Sequence, residues 1–200
     1  MNFSVNIREV NTEVDRLINL LQSIDVISAI HRRVVAEIIL LRLSILIENN
    51  LKSIFCKLCC GANYVDGRKP IVNLPSRSLI GAISLMKSHN RPRNRYPIWN
   101  DGREIRENVR YIVDNNDHAF RTISNYSSFL TEIRYFRNHI ARRNESSRKN
   151  YRNIVKKYYG ANPPGIQVGA VLLSKRVQRT SVLETHIRSA RIMINDIIRA

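Results

Sequence analysis

The chain has little of what breaks or staples a polypeptide: its 200 residues include seven Gly, six Pro, three Cys and one Trp. With apolar side chains making up 44% of the sequence from end to end, so few breakers exclude collagen-like repeats and general disorder. Cys56, Cys59 and Cys60 are an odd number crowded into five positions, so they cannot be the framework of a disulfide-stapled secreted scaffold, and a reducing, cytoplasmic setting is expected. The Cys-x-x-Cys spacing has no nearby His or further Cys to complete four zinc ligands; buried apolar thiols and no metal are the expectation.

Long apolar runs are missing too. The greasiest stretch, residues 34–51, is interrupted by Glu37, Arg42 and Glu48, and the first 17 residues carry Arg8, Glu9, Glu13 and Asp15 where a signal peptide needs an apolar core. No membrane is expected among the partners. The spacings of the P-loop, the dinucleotide-binding turn, the nucleophile elbow and the His-Glu-x-x-His zinc helix do not occur, which argues against the common cofactor enzymes; no cofactor is expected.

Positive charge is what the chain has in excess. Thirty-three Lys and Arg stand against 16 Asp and Glu, a formal charge of +17, which favours a polyanionic partner. The first 50 residues hold five basic and six acidic side chains, so the basic surface is built by residues beyond position 50. An exposed loop over 87–95, with Arg91, Arg93 and Arg95 and with Pro92 and Pro97 preventing a regular helix, suits phosphate contacts, although a chain this basic carries positive loops whatever it binds.

Periodicity predicts an all-α bundle of one domain. Val14, Leu17, Ile18, Leu21 and Ile24 mark a first helix after Asn11 and Thr12. From Ile30 to about Cys60 apolar residues fill several faces without Pro or Gly, as in a long helix buried mid-bundle that Gly61 ends. Ser76 is expected to cap a short helix to about Lys87. A second long helix is expected from about Asp117 to Ala141, a basic helix over Ser146–Tyr159, and an amphipathic helix over Ser181–Arg199; Val168–Leu173 fits a short strand or a helix start equally.

One polar run stands out near the end of the second long helix: Arg134-Tyr135-Phe136-Arg137-Asn138-His139-Ile140-Ala141-Arg142-Arg143-Asn144-Glu145. Within it, Arg137-Asn138-His139-Ile140-Ala141 resembles the Arg-Asn-x-x-Ala-His motif of the HEPN superfamily, complete through its fifth residue, with Arg142 where the motif has His. The organisation over roughly residues 10–160 is similar to HEPN domains as well, leaving 161–200 as a C-terminal helical extension packing on that core.

The resemblance implies a metal-independent endoribonuclease acting on RNA, a homodimer whose two motifs face each other across a two-fold axis, and a role as a toxin or antiphage defence effector paired with an antitoxin, often of nucleotidyltransferase type. In that chemistry a 2′-hydroxyl attacks its own phosphodiester, so a group of near-neutral pKa moves protons while a fixed cation meets the charge developing on phosphate. By analogy Arg137 is that cation, Asn138 orients backbone or substrate, and position 142 is the general acid/base, a task a guanidinium cannot perform. Arg142 therefore fits either an enzyme inactivated by a His-to-Arg change or a natural domain that binds RNA without cutting it.

Arg134, four residues, then His139 is a second register of the same loose spacing, with Arg134 and Arg143 otherwise as RNA contacts; the bland alternative is a solvated basic face. Unpaired burial of Glu37 or Glu48 in an apolar helix is costly, so one or both are expected to meet an Arg, with the carboxylate orienting Arg137, or else Glu37 to face solvent.

Overall fold

A computed structural model describes residues 2–89, 96–175 and 179–200. Among them the chain forms helices α1 (Ser4–Ser23), α2 (Ala29–Cys59), α3 (Leu79–His89), α4 (Gly102–Val109), α5 (His118–Asn125), α6 (Ser127–Arg142), α7 (Glu145–Tyr159), α8 (Val168–Leu172) and α9 (Val182–Ile198), and no strand beyond an isolated bridge of Val72 with Val113. The chain is an all-α bundle. Arg91, Arg93 and Arg95 lie outside the described residues.

The axis of the bundle is α2. Ser28 caps its start by accepting from the His31 N–H, and Gly61, at φ +80°, turns the chain away past its end. Leu40, Leu43, Leu51, Ile54, Phe55 and Leu58 are fully buried along it. Helices α1, α6, α8 and α9 pack around α2, and α9 also packs on α1 and α5, so residues from the C-terminal region complete the core. The undecided 168–173 segment is helical.

Three boundaries differ from expectation. Helix α1 starts at Ser4 rather than after Thr12. Its first turns bury Asn6, whose amide donates to Asn50 Oδ1 of α2 at 2.9 Å and whose Oδ1 accepts from Lys57 Nζ at 2.6 Å, so a buried polar residue interrupts the apolar row between Phe3 and Val10.

The cap of α3 is formed by Ser78, not Ser76: Ser78 Oγ accepts from the Gly81 N–H at 3.0 Å, while Ser76 Oγ donates to the Ser78 carbonyl at 2.9 Å. The helix therefore begins at Leu79.

The second long helix is broken at Tyr126 into α5 and α6. Ser124 Oγ donates to the Phe120 carbonyl at 3.3 Å and Ser127 Oγ to the Ile123 carbonyl at 3.2 Å, so serine hydroxyls compete for the carbonyls that would carry the helix through.

Candidate functional site

Helix α6 presents the motif residues to different neighbours, because successive positions turn about 100° around a helix. Arg137 faces α2. Its Nη1 lies 2.9 Å from Glu48 Oε1, with the arginine side chain 32% exposed. The same carboxylate oxygen accepts from Asn100 Nδ2 at 3.1 Å, so the loop before α4 helps fix the cation. Asn100 carries no signal in the sequence beyond standing beside Asp101, which caps α4 by accepting from the Arg103 and Glu104 N–H groups.

Arg134 is held elsewhere on α6, with Nη2 2.9 Å from Asp101 Oδ2. Asn138 is half-buried and makes no side-chain hydrogen bond among the described residues; Arg142, in the last turn, is exposed and forms no ion pair among them. Arg143 follows at φ +46°, a left-handed conformation that ends the helix, and Asn144 then caps α7 by accepting from the Ser147 N–H at 2.9 Å.

His139 turns to the opposite side, towards α7. Its ring stacks on Tyr151, centroids 4.3 Å apart and planes 12° apart, and its buried Nδ1 has no hydrogen-bond partner among the described residues. Burial, and then the charges of Arg143 and Arg148, push the imidazole below its usual pKa. Arg134 is paired with Asp101 at the cap of α4 and His139 is stacked on Tyr151 of α7, so the two members of the second register are held by different elements.

The two α2 carboxylates part company. Glu48 meets Arg137, whereas Glu37 forms no ion pair with an arginine among the described residues and does not face solvent alone: its Oε1 accepts from the Gly169 N–H at 3.1 Å, at the start of α8. The approach is close because residue 169 lacks a side chain; a Cβ there would lie 2.2 Å from the Arg33 carbonyl oxygen.

The three thiols are free. Burial, then the neighbouring Cys59, pushes Cys56 up to about 12, and burial, then Cys60, pushes Cys59 up to about 11, which makes both poor nucleophiles and poor metal ligands. No group of three or more His, Cys, Asp and Glu is placed to hold a metal among the described residues, and no helix among them is long and apolar enough to cross a membrane.

A charged feature that sequence reading missed lies at the other end of α6. Glu132 is buried, accepts from Lys157 Nζ and the Tyr158 hydroxyl of α7, and stands 3.2 Å from His186 Nε2 of α9. It joins three helices.

An apolar row is also left uncovered on α2. Ile30, Val34, Ile38 and Ile45 are exposed and Leu41 half-exposed, at spacings of four, four, three and four that keep them on one face. Glu48 follows Leu41 by seven residues and so stands at the end of this row.

No protein-family model matches the chain, and no curated protein or solved structure matches it. The class that the fold and this site define is an all-α bundle with a carboxylate-held arginine on a basic helix.

Proposed function

We propose that the chain is a HEPN-type endoribonuclease domain of a toxin or defence system, metal-independent in mechanism, whose proton-transfer position is filled by Arg142. The observation that carries this reading is the Arg137–Glu48 ion pair: the arginine of the motif is held by a carboxylate at a half-exposed site, the arrangement a fixed cation needs if it is to meet charge developing on a phosphodiester. The reaction is an internal transesterification. The 2′-oxygen forms a bond to phosphorus as its proton leaves, the 5′-oxygen departs taking up a proton, and a cyclic phosphate and a 5′-hydroxyl result; no water, metal or redox partner is consumed.

Both proton movements need a group that titrates near neutrality, and Arg142 stays charged at any working pH. The chain as it stands is therefore expected to bind RNA and not to cut it. Pairing of two copies is supported by the apolar row on α2, an exposed face that a second copy can bury. An antitoxin of nucleotidyltransferase type is the further partner this reading implies.

Cleavage of labelled single-stranded RNA in EDTA tests the reading, using the chain itself, Arg142→His, and Arg142→His with Arg137→Ala. Cleavage by Arg142→His alone is the expected result. A restored protein as silent as the original, with RNA affinity intact in both, replaces the enzyme by a binding module; the exposed guanidinium at position 142 favours that second reading. Cleavage by the original chain that is lost in His139→Ala moves the site to the Arg134/His139 register.

A further inference from the structure

The most exposed aromatic side chain among the described residues is Tyr96, 61% exposed even with two lysines against its ring. Its hydroxyl makes no hydrogen bond among those residues, whereas Tyr64, Tyr126 and Tyr158 give theirs to Asp117, Asp196 and Glu132. The segment that carries Tyr96 is nonetheless pinned. Asn108 Nδ2 donates to the Ile98 carbonyl at 2.6 Å, Trp99 is buried against Phe55 of α2 with ring centroids 6.2 Å apart, and Asn100 donates to Glu48. Buried Pro97 stiffens the backbone between the ring and these anchors. The ring is therefore held out towards solvent by a constrained segment.

Cations gather around it. Lys87 Nζ of α3 lies 4.5 Å and Lys52 Nζ of α2 lies 5.9 Å from the Tyr96 ring centroid, and neither lysine forms an ion pair among the described residues. Lys52 follows Glu48 by one turn of α2, about 6 Å along the axis and on the same face. Because Glu48 holds Arg137, the motif cation, the two ammonium groups and the open ring lie on one strip that runs from α6 across α2 to α3. The carboxylate of that strip is already shared between Arg137 and Asn100, which leaves the lysines to an outside anion.

Positive charge interleaved with an open aromatic face suits a single-stranded nucleic acid, whose phosphates meet the cations while an unpaired base lies on the ring. We infer that Tyr96 is a base platform of the RNA site, stacking a base beside the phosphate that Arg137 meets, with Lys52 and Lys87 leaving the ring for the flanking phosphates. The platform selects RNA with unpaired bases, since a base inside a duplex has no free face to offer. It rests on the proposed function for its ligand and not for cleavage.

Fluorescence anisotropy of the chain as it stands tests it, with a short labelled single-stranded RNA and the same strand in a perfect duplex. Tyr96→Ala is expected to weaken the single strand about tenfold and Tyr96→Phe to leave it unchanged, because the ring and not the hydroxyl does the stacking, while the duplex responds to neither. Lys52→Gln and Lys87→Gln are each expected to reduce the slope of log affinity against log salt by about 0.7, the share of one single-strand phosphate contact, and Lys69→Gln in the loop after α2 to leave it unchanged. Full affinity in Tyr96→Ala overturns the platform, as does Tyr96→Phe being as weak as Tyr96→Ala, an equal loss for the duplex, a Lys69→Gln slope that falls as far as that of Lys52→Gln, or no binding of the single strand at all. Cleavage is a separate readout. Single-stranded RNA held through Tyr96 with no cleavage by Arg142→His removes the ribonuclease reading and keeps the platform; cleavage by Arg142→His at a KM that Tyr96→Ala does not raise keeps the ribonuclease and removes the platform.

Discussion

Arg137 Nη1 lies 2.9 Å from Glu48 Oε1, so a cation on the motif helix is fixed by a carboxylate from the helix at the centre of the core. Both side chains are only partly exposed, and the pair is expected to contribute about 0.5–1 kcal/mol. A double-mutant cycle of Glu48→Gln and Arg137→Gln, read by urea unfolding, checks that coupling. In the Arg142→His background, Glu48→Gln is expected to slow RNA cleavage about tenfold by loosening the cation, a loss on the scale of about 1.4 kcal/mol, whereas Arg137→Ala removes cleavage.

Glu132 makes stability depend on acid. Burial pushes its pKa up, but the hydrogen bond and charge of His186, and the hydrogen bonds from Lys157 and Tyr158, outweigh it and hold the carboxyl down at about 2. Between its ordinary value of 4.5 and about 2 the unfolded chain binds the proton that the folded chain refuses. The contribution, on the order of 3 kcal/mol, is therefore present above pH 4.5 and lost as pH falls towards 2. Glu132→Gln is expected to flatten this part of the stability–pH curve and to destabilise the protein above pH 4.5, measured by denaturant unfolding at each pH.

Gly169→Ala is expected to be among the costliest single-methyl changes in the chain. The new Cβ would lie 2.2 Å from the Arg33 carbonyl oxygen and 2.6 Å from Arg33 Cα, contacts that only backbone movement relieves. A loss of about 3 kcal/mol, accompanied by exposure of the Gly169 amide to hydrogen exchange as it leaves Glu37, is the outcome to look for.

His139 is expected to titrate below 6.5, since burial, then Arg143 and Arg148, oppose its charged form. Its share of stability is therefore present above pH 6.5 and falls as pH drops through the lower folded value. An NMR titration of the imidazole carbons reads the midpoint directly. Arg148→Gln is expected to move it upward, and a midpoint unmoved by that change would mean that Arg148 does not act on the ring.

Cys56 and Cys59, pushed up to about 12 and about 11 chiefly by burial, are expected to be silent towards a thiol reagent at pH 8 until the chain unfolds, with half-buried Cys60 reacting first. Comparing labelling rates in native buffer and in denaturant separates the three.

What the sequence discloses about this fold is whatever lies within one helix. The span of α2 is readable because thirty-one residues run without a breaker from Ser28 to a glycine, α7 is readable to within a residue at its start because Gly160 and the following prolines close it, and α9 because Ser181 opens a pattern with a clear apolar side. The pairing of Glu48 with an arginine could be argued from the cost of burying a lone carboxylate. Which carboxylate found the arginine could not, because Glu37 is answered by the amide of residue 169, over 130 positions away, and nothing near Glu37 signals it. The break at Tyr126 escaped for a related reason. Ser124 and Ser127 are tolerable inside a helix, and the Tyr126 hydroxyl is drawn to Asp196 of α9, a contact only the assembled bundle supplies.

The packing of α9 between α1, α2 and α5 sets an order on assembly. Arg191 reaches Asp15, and the Ile198 carbonyl accepts from the Val65 N–H at 2.9 Å, so the last helix closes contacts with some of the first residues made. A chain emerging from the ribosome exposes the greasy flank of α2 from its early synthesis until residue 198 is free of the exit tunnel. Such late closure through distant pairings leaves apolar surface open to wrong associations until residue 198 has emerged.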